Sequence, residues 1–531
     1  VPGGGRLLTI IRWAVAMLVI TLLLPPGTAA AQQLEDLLSR FKIVEEGDRR
    51  VLEVSLQDIL QLALQRSNAI KVSKIGREIA HSALIVAQER NIPTLTTKLE
   101  TGRTLSPFSS TFAGSNFLRL SRTEETVISS EWSRKTSSGV TYGLTLSEQR
   151  TSSETLNIAN EGDAPARDAT TASRTISSTS LTGTVNIPLI QDSGPEVNDI
   201  PIRQGEVGVA RSQHEVRRDE LVILGTVATV YWNLVDILER IMVEQESVKL
   251  SERLLNDNRA RLRAGVIAPA DVKVSETQLA RNRQTVLQFQ LGALRIEDQL
   301  RAALNLEAIE FGYRPIDQPT VRKTRFDFKE LAEKMFASNP DLALLNTTLD
   351  SNRYDLVEAR NQESTDLDLD LFYTFNGYAG SPIGGAADFA ETDLAGYGAT
   401  LTWTLPLFDH VTRQTIQQKI LERAQIEVRI NDLRSTLSVR LQSSLRSLRL
   451  AEKEVETAQI SVSLANELMS NEIERFRLGR STSFRVAEFQ QDAAEARRLE
   501  IVARVNYEKA FLDMLLLSGD IYTFFELPSG S

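Results

Sequence analysis

The segment LVILGTVATVYWNLVDILERIM, residues 221–242, carries two apolar seams along one helix. Leu221, Leu224, Ala228, Tyr231, Val235, Leu238 and Met242 alternate by three and four. Ile223, Val227, Val230, Leu234, Ile237 and Ile241 do the same beside them. One such seam packs a helix on one neighbour. Two offset seams call for two neighbours, which suits either the wall of a tube or the inside of a bundle. Length favours the tube. From Pro188 to Gly265 the chain runs 77 residues, of which about 70 would form a rod of roughly 100 Å at about 1.5 Å per residue. Globular helices average nearer a dozen residues. The return helix repeats the double pattern, with Leu279, Val286, Phe289, Ala293, Ile296 and Leu300 in one seam and Ala280, Leu287, Leu291 and Leu294 in the other.

Outward from this helix, the chain is duplicated. Leu60, Leu64 and Asn68 are answered by Leu331, Met335 and Asn339 at the same spacing. Asn186-Ile187-Pro188-Leu189-Ile190 is answered by Thr404-Leu405-Pro406-Leu407-Phe408. Arg261-Leu262-Arg263-Ala264-Gly265 is answered by Arg475-Phe476-Arg477-Leu478-Gly479. A repeat of this size is too long for a solenoid and means two similar halves. The first repeat spans 51–310, with strands at about 94–190 and a long helical hairpin at 195–305. The second spans 311–518, with strands at about 366–406 and a hairpin at 411–518. Residues 32–50 form an N-terminal extension and 519–531 a C-terminal tail. The last helix keeps the 3/4 pattern through Val486, Phe489, Ala493, Ala496, Glu500, Ala503, Tyr507, Ala510, Met514 and Leu517.

The segments between the helices have period two. Leu367, Leu369, Leu371, Tyr373 and Phe375 alternate with other residues, as do Tyr397, Ala399, Leu401, Trp403 and Leu405. In the first repeat Val140, Tyr142, Leu144 and Leu146 alternate, as do Leu181, Gly183, Val185 and Ile187. Strands of about ten residues, apolar outside and polar inside, fit a transmembrane barrel. They fit a soluble sandwich as well. In the barrel reading Leu181, Val185, Leu401 and Trp403 face lipid. Trp132, Tyr142, Tyr397 and Trp403 are then either interface-belt aromatics or ordinary strand aromatics.

The N-terminus reads as a secretory leader over 1–31. Arg6 and Arg12 precede the apolar run Trp13–Leu24, which Pro25, Pro26 and Gly27 break, and Ala29-Ala30-Ala31 offers a cleavage site. The run is short of the roughly 20 residues a spanning helix needs. No later stretch reads as a transmembrane helix, so membrane entry is expected through β-strands.

Hydrophobic residues make up 42% and charged residues 24%, which excludes a disordered chain. A net charge of −10 with no basic cluster argues against nucleic acid. Cysteine is absent, which removes disulfides, thiolate chemistry and an N-terminal lipid anchor. His81, His214 and His410 have no metal-ligand spacing. Glu45-Glu46 and Glu124-Glu125 are adjacent carboxylates with nothing to set a catalytic separation. There is no P-loop, GxSxG or HExxH element. No metal, cofactor or enzymatic activity is expected. Arg485, Glu488, Asp492 and Glu495 form a charged stripe opposite the apolar seam of the last helix, either lining a lumen or facing solvent. Gly265 and Gly479 suit tight helix–helix turns.

The element order, the duplication, the two Pro-Leu strand ends and the glycine-centred turns Arg261–Asp271 (RLRAGVIAPAD) and Arg475–Arg485 (RFRLGRSTSFR) resemble the TolC-like outer-membrane efflux proteins. The resemblance covers nearly all of the chain after the leader. It implies a mainly α fold with a β-barrel, sited in a Gram-negative-type outer membrane and extending into the periplasm. Three identical subunits would each give four strands to a 12-stranded barrel in outer-membrane lipid, above a tunnel of coiled-coil helices. The turns at Arg263, Gly265, Val266, Arg477, Gly479 and Arg480 would be tips that meet a periplasmic adaptor (membrane fusion) protein and an inner-membrane pump. The pump would drive passive export, either as efflux or as type I secretion. Arg485 and Glu488 would stand at the periplasmic aperture, where family members often carry two aspartates; the first repeat has Asp271 at the corresponding position.

The stretch Pro93–Pro188 is more than twice as long as its counterpart Ser364–Pro406. Its surplus holds a hairpin, Val127–Leu146 around Thr136-Ser137-Ser138-Gly139, and a Thr-, Ser-, Ala- and Asp-rich loop. It is either an extracellular elaboration or a source of extra strands. A structural or adhesive coiled-coil envelope protein is the other functional class, but such a stalk needs only one seam per helix.

Overall fold

The computed structural model describes residues 42–46, 49–112, 115–157, 170–306, 311–322, 326–379 and 394–528. The leader reading of 1–31, much of the extension and the polar loop at 158–169 lie outside the described residues. In chain order the elements are β1 (Lys42–Glu46), β2 (Arg49–Val54), α1 (Leu56–Arg66), α2 (Asn68–Gln88), β3 (Thr94–Phe112), β4 (Ser115–Lys135), β5 (Thr141–Asn157), β6 (Thr170–Pro188), α3 (Ile200–Arg263), α4 (Pro269–Ala303), β7 (Phe311–Pro315), α5 (Phe328–Ser338), α6 (Pro340–Glu363), β8 (Asp366–Ala379), β9 (Ala395–Thr404), α7 (His410–Arg477) and α8 (Ser483–Ser518). The repeat is plain in this order. The α1–α4 series of the first half matches α5–α8 of the second, and Leu60, Leu64, Leu331 and Met335 are all buried.

The chain forms two compact units that cut across the repeats. One comprises the chain up to Lys74, Glu215–Asp341 and Leu433 onward. It contains a small sheet that periodicity did not reveal, because its strands are only five or six residues long. There β1 pairs antiparallel with β2, and β2 pairs parallel with β7, so the openings of the two repeats are hydrogen-bonded together. Ser55 starts α1 with a reciprocal cap: its hydroxyl accepts from the Asp58 N–H, and the Asp58 carboxylate accepts from the Ser55 N–H, both at 3.2 Å.

Asp317 ties this sheet to the long helix. Its carboxylate accepts from the Tyr231 hydroxyl and from the Leu56 N–H, each at 2.6 Å. Burial, and then that bond to Asp317, push the Tyr231 phenol well above its ordinary range. Tyr231 and Trp232 are thus core residues. Nearby, burial pushes the Glu508 carboxyl up, while the Thr320 N–H and the Arg322 guanidinium, both at 3.0 Å, pull it back.

Both seams of α3 find cover where this unit packs, except at Met242, the last residue of the first, which stands exposed. Leu224, Ala228, Tyr231 and Val235 of the first are buried, as are Val227, Leu234 and Ile241 of the second. An 18-residue window within Ile200–Arg263 is long and apolar enough to cross a membrane by composition, which corrects the expectation that no later stretch would be. Its hydrophobicity comes from carrying two seams at once. On α4 the first seam is covered, with Leu279, Ala293 and Leu300 buried, but Leu287, Leu291 and Leu294 of the second stand exposed.

The other unit comprises Ile75–His214 and Leu342–Asp432. Its helical part is close-packed: a Cβ on Gly205 of α3 would meet Leu84 of α2 at 3.0 Å. Lys419 of α7 binds Asp355 of α6 at 3.2 Å, and Gln204 donates to the same Asp355 at 2.9 Å. Its remainder is one antiparallel sheet of six strands in the order β3-β4-β5-β6-β8-β9. The resemblance implied four barrel strands per chain; the sheet of this chain has six. The hairpin around Thr136–Gly139 is no separate elaboration: β4 pairs with β3 from Thr94–Ser133 to Phe112–Ser115, and β5 pairs with β6 up to Thr141–Asn186. The surplus of the first repeat is two full strands.

Asp317→Ala should cost about 1–2 kcal/mol, because it leaves the helix-start Leu56 N–H without its acceptor, while the Tyr231 hydroxyl keeps the Val54 carbonyl at 3.1 Å. A matching fall in the chemical-denaturation midpoint of the detergent-solubilised protein checks this, and an unchanged midpoint would show the hub to be dispensable.

Candidate functional site

Strand pairing fixes which side chains share a face, since residues directly opposite in an antiparallel ladder point the same way. One row joins Leu95, Trp132, Leu144, Gly183, Tyr373 and Tyr397 across all six strands. The row above it on the same face joins Thr97, Ser130, Leu146, Leu181, Phe375 and Ala395. Below it come Tyr142, Val185, Leu371 and Ala399, then Ile187, Leu369 and Leu401, then Leu367 and Trp403. Ring contacts agree, with Tyr373 at 4.8 Å from Phe375 and 6.4 Å from Tyr397. The sequence-chosen residues Leu181, Val185, Leu401 and Trp403 therefore lie on one apolar face. Leu401 and Trp403 are 63% and 68% exposed in the single chain.

The opposite face is polar. Its rows run Thr96, Glu131, Thr145, Thr182, Thr374 and Gly396, then Lys98, Ser129, Ser147, Ser180 and Asn376. Thr182 and Thr374 hydrogen-bond at 3.0 Å, and Asn186 donates to Asp370 at 2.8 Å. An apolar band facing one way and a hydroxyl-rich surface facing the other is the two-solvent pattern of a barrel wall.

The lower edge of the apolar band climbs across the sheet. It begins at Trp403 on β9, at Tyr142 on β5, at Trp132 on β4 and at Leu95 on β3. That stagger is what tilted strands require. Trp403, Tyr142 and Trp132 mark this edge, as belt aromatics would, whereas Tyr397 sits higher, with Tyr373. Leu95, Leu99 and Ile128 escaped the sequence reading because they are sparse among Thr, Ser and Glu. The ladder aligns Leu95 with the band, whereas the row of Leu99 and Ile128 continues into Glu148 and Thr179 and marks the band's upper limit.

The helix turns are the second region. Gly265 and Gly479 have φ of +74° and +71°, where side chains are strained, and a Cβ there would meet open space. Each ends its helix with the same pair of bonds. Gly265 N–H reaches Leu262 O and Val266 N–H reaches Arg261 O, both at 2.9 Å; Gly479 reaches Phe476 at 3.1 Å and Arg480 reaches Arg475 at 2.8 Å. Arg263, Val266, Arg477 and Arg480 are exposed around them. The structure brings the two turns' helices together: the Arg261 guanidinium lies 4.2 Å from the centre of the Phe476 ring, and Leu254 packs with Phe476, Val486 and Ala487.

Beyond the second turn, Arg485 and Glu488 are both exposed, but Arg485 has its own partner. Its guanidinium is 3.7 Å from Glu472, a buried carboxylate that also receives the Ser481 hydroxyl and lies 3.5 Å from Arg475. Nothing in the sequence singled out Glu472. Asp271 is a helix-start cap, accepting from the Ala268 N–H at 3.2 Å. Glu488, Asp492 and Glu495 remain an exposed stripe opposite the buried Ala493 and Ala496.

Two long helical hairpins and an amphipathic sheet on one chain are the elements of a channel-tunnel fold. Solved structures share the fold. The Campylobacter jejuni CmeC outer membrane channel superposes with a TM-score of 0.62 at 13% identity, covering 87% of this chain and 85% of that one. The outer-membrane channel OprN gives 0.62 at 11%, covering 87% and 89%. The Vibrio cholerae outer membrane protein VceC gives 0.60 at 12%, covering 87% and 96%. Comparison with curated proteins finds no match in sequence. Residues 59–306 match the profile of the outer membrane efflux proteins. That match lies within the first repeat, and the likeness of fold to these outer-membrane channels carries on through the second.

Leu401→Arg should cost about 2–4 kcal/mol if its row lies at mid-bilayer, whereas Thr400→Arg, on the polar face, should be tolerated. The temperature at which the assembly dissociates in detergent reads both, and equal effects would mean the faces are misassigned.

Proposed function

We propose that the chain is one of three identical subunits of a passive exit duct, a conduit rather than an enzyme. A separate inner-membrane pump drives export through it, and a periplasmic adaptor couples the two. The observation that carries this reading is the coexistence, on one chain, of a two-faced sheet with open edges and of long helices with uncovered apolar seams. Val72, Ile75, Ile79 and Val86 of α2 form such a seam, and so do Leu287, Leu291 and Leu294 of α4. Neighbouring copies supply the cover. The polar face lines the lumen, and the helices extend it into the periplasm.

The glycine turns are the adaptor-facing tips. Absence of side chains at Gly265 and Gly479 lets a partner approach the backbone, and the exposed Arg263, Arg477 and Arg480 favour an acidic partner surface. The lower end opens when adaptor binding favours the open state. A step-like conductance of the purified protein in a planar bilayer tests the duct reading, and absence of any conductance would count against it.

Light scattering of the detergent-solubilised protein should return a trimer, because a lone subunit leaves its seams in water. A monodisperse monomer would sink the proposal.

Glu488 in three copies forms a carboxylate ring at the lower opening. The neighbouring guanidiniums of Arg475 and Arg485 share the Glu472 carboxylate and offset part of the ring's field, and salt screens the rest. The closed channel should therefore show only mild cation preference, reduced further by Glu488→Gln. Reversal potentials under a salt gradient measure it. Strong cation selectivity untouched by Glu488→Gln would put the selective ring elsewhere.

A further inference from the structure

We propose that the extra hairpin β4–β5 is membrane wall, so that each chain gives six strands and three chains close an 18-stranded barrel. This rests on the duct reading above, and differs from the four-strand contribution that the family resemblance implied.

The hairpin is inserted between two wall strands. β4 is bonded along its length to β3, and β5 to β6, with β4 and β5 paired from Arg119–Asn157 to Lys135–Thr141. Nothing bonded between β3 and β6 in this way can stand outside the wall they build. The turn joining β4 to β5 is docked at the helical end of the sheet. Gly194 N–H donates to Ser138 O at 3.0 Å. Gly139 has φ +91°, and a Cβ there would come within 2.3 Å of Asp192 O and 2.8 Å of Pro188 Cγ. Both strands therefore run through the whole apolar band.

Their side chains obey the same two-solvent rule as the other four strands. Ile128 and Trp132 on β4, and Tyr142, Leu144 and Leu146 on β5, join the apolar face. Ser129, Glu131, Thr145 and Ser147 join the polar one. Past the band the apolar face turns polar: Arg103 faces Glu124 at 3.8 Å and Arg122 faces Glu154 at 3.3 Å. These pairs stand on strands that outrun β8 and β9, and they make a charged collar beyond the lipid.

Lipid admits no open edge, because an unpaired N–H or C=O there has no water to bond. The edges of this sheet are β3 and β9. Six strands are fewer than the eight of the smallest such barrels, so β3 must pair with β9 of another copy. Barrel diameter grows roughly linearly with strand number. Eighteen strands therefore give a ring about 1.5 times as wide as twelve. The outer-membrane end then passes bulkier cargo, and size restriction falls to the helical part.

The absence of cysteine in the native chain allows clean single-cysteine labelling in proteoliposomes with a membrane-impermeant maleimide. Leu144→Cys and Trp132→Cys should resist labelling, as Leu401→Cys does, whereas Ser147→Cys and Ser129→Cys should label as readily as Thr400→Cys. If Leu144→Cys labels freely while Leu401→Cys stays protected, the hairpin lies outside the wall and the proposal fails with the duct reading intact. If both label freely, the sheet is not in lipid and the duct reading itself fails. Electron cryomicroscopy of the native protein should count 18 strands. A ring of 12 strands from three chains overturns the hairpin assignment, and a ring of 12 from two chains overturns the trimer.

Discussion

A backbone in hydrocarbon has nowhere to place an unmade hydrogen bond, and that constraint organises this chain. It explains why the apolar band occurs on a sheet that is paired continuously across six strands. It also explains why the two edge strands cannot remain as they stand in a single copy. The same sheet must offer its other face to water, so each strand alternates two solvents residue by residue, from Leu367 to Phe375 on β8 and from Trp132 to Ile128 on β4. The stagger of the band's lower edge then follows from strand tilt.

The helices meet a softer version of the same demand. Water bonds their backbones where they are exposed, so what must be satisfied is the apolar side chains. The mid-portion of α3 covers both its seams within the chain, whereas α4 covers one. Leu287, Leu291 and Leu294 stand exposed among the described residues, and fully burying each such side chain is worth about 1.5–3 kcal/mol. The proposed assembly thus rests on hydrogen bonds in the sheet and on seams in the helices. The hub at Asp317 is the internal counterpart: it locks the start of α1 to the core of α3, and it adds to the β2–β7 and β6–β8 ladders that join the two repeats.

Much of this architecture is legible in the sequence because long elements have strong periods. The 3/4 seams and the Pro-to-Gly distances in both halves place α3, α4, α7 and α8, and the alternation at Leu367–Phe375 and Tyr397–Leu405 places β8 and β9. Gly265 and Gly479 are legible as turns, since only a left-handed position needs them there. What escaped is what only pairing reveals. Leu95 looks like an isolated apolar residue in a polar strand until the ladder sets it in the row of Leu144 and Tyr373, and Leu99 and Ile128 until it pairs them with each other. The short β1, β2 and β7 have too few residues for any period to show. Glu472 is ordinary in sequence, and becomes a junction only because the turn returns Ser481 and Arg485 to it. The six-strand count was undecidable beforehand, because a surplus of residues between Pro93 and Pro188 fits a loop as well as a hairpin.

The form of that surplus is itself constrained. The helix α2 enters the sheet at the end where Thr94 pairs with Ser133, and α3 leaves it at the same end, just after Pro188. A single added strand would have delivered α3 to the opposite end and severed it from its repeat. Two strands return the chain to where it began, and their own turn at Thr136–Gly139 settles against Pro188 and Asp192 beside the point of departure. An insertion that preserves the direction of the helices, the alternation of faces and the continuity of the ladder can widen the sheet without disturbing anything beneath it. The second repeat shows the unexpanded form, one hairpin between α6 and α7, and the first shows the same plan with one hairpin more.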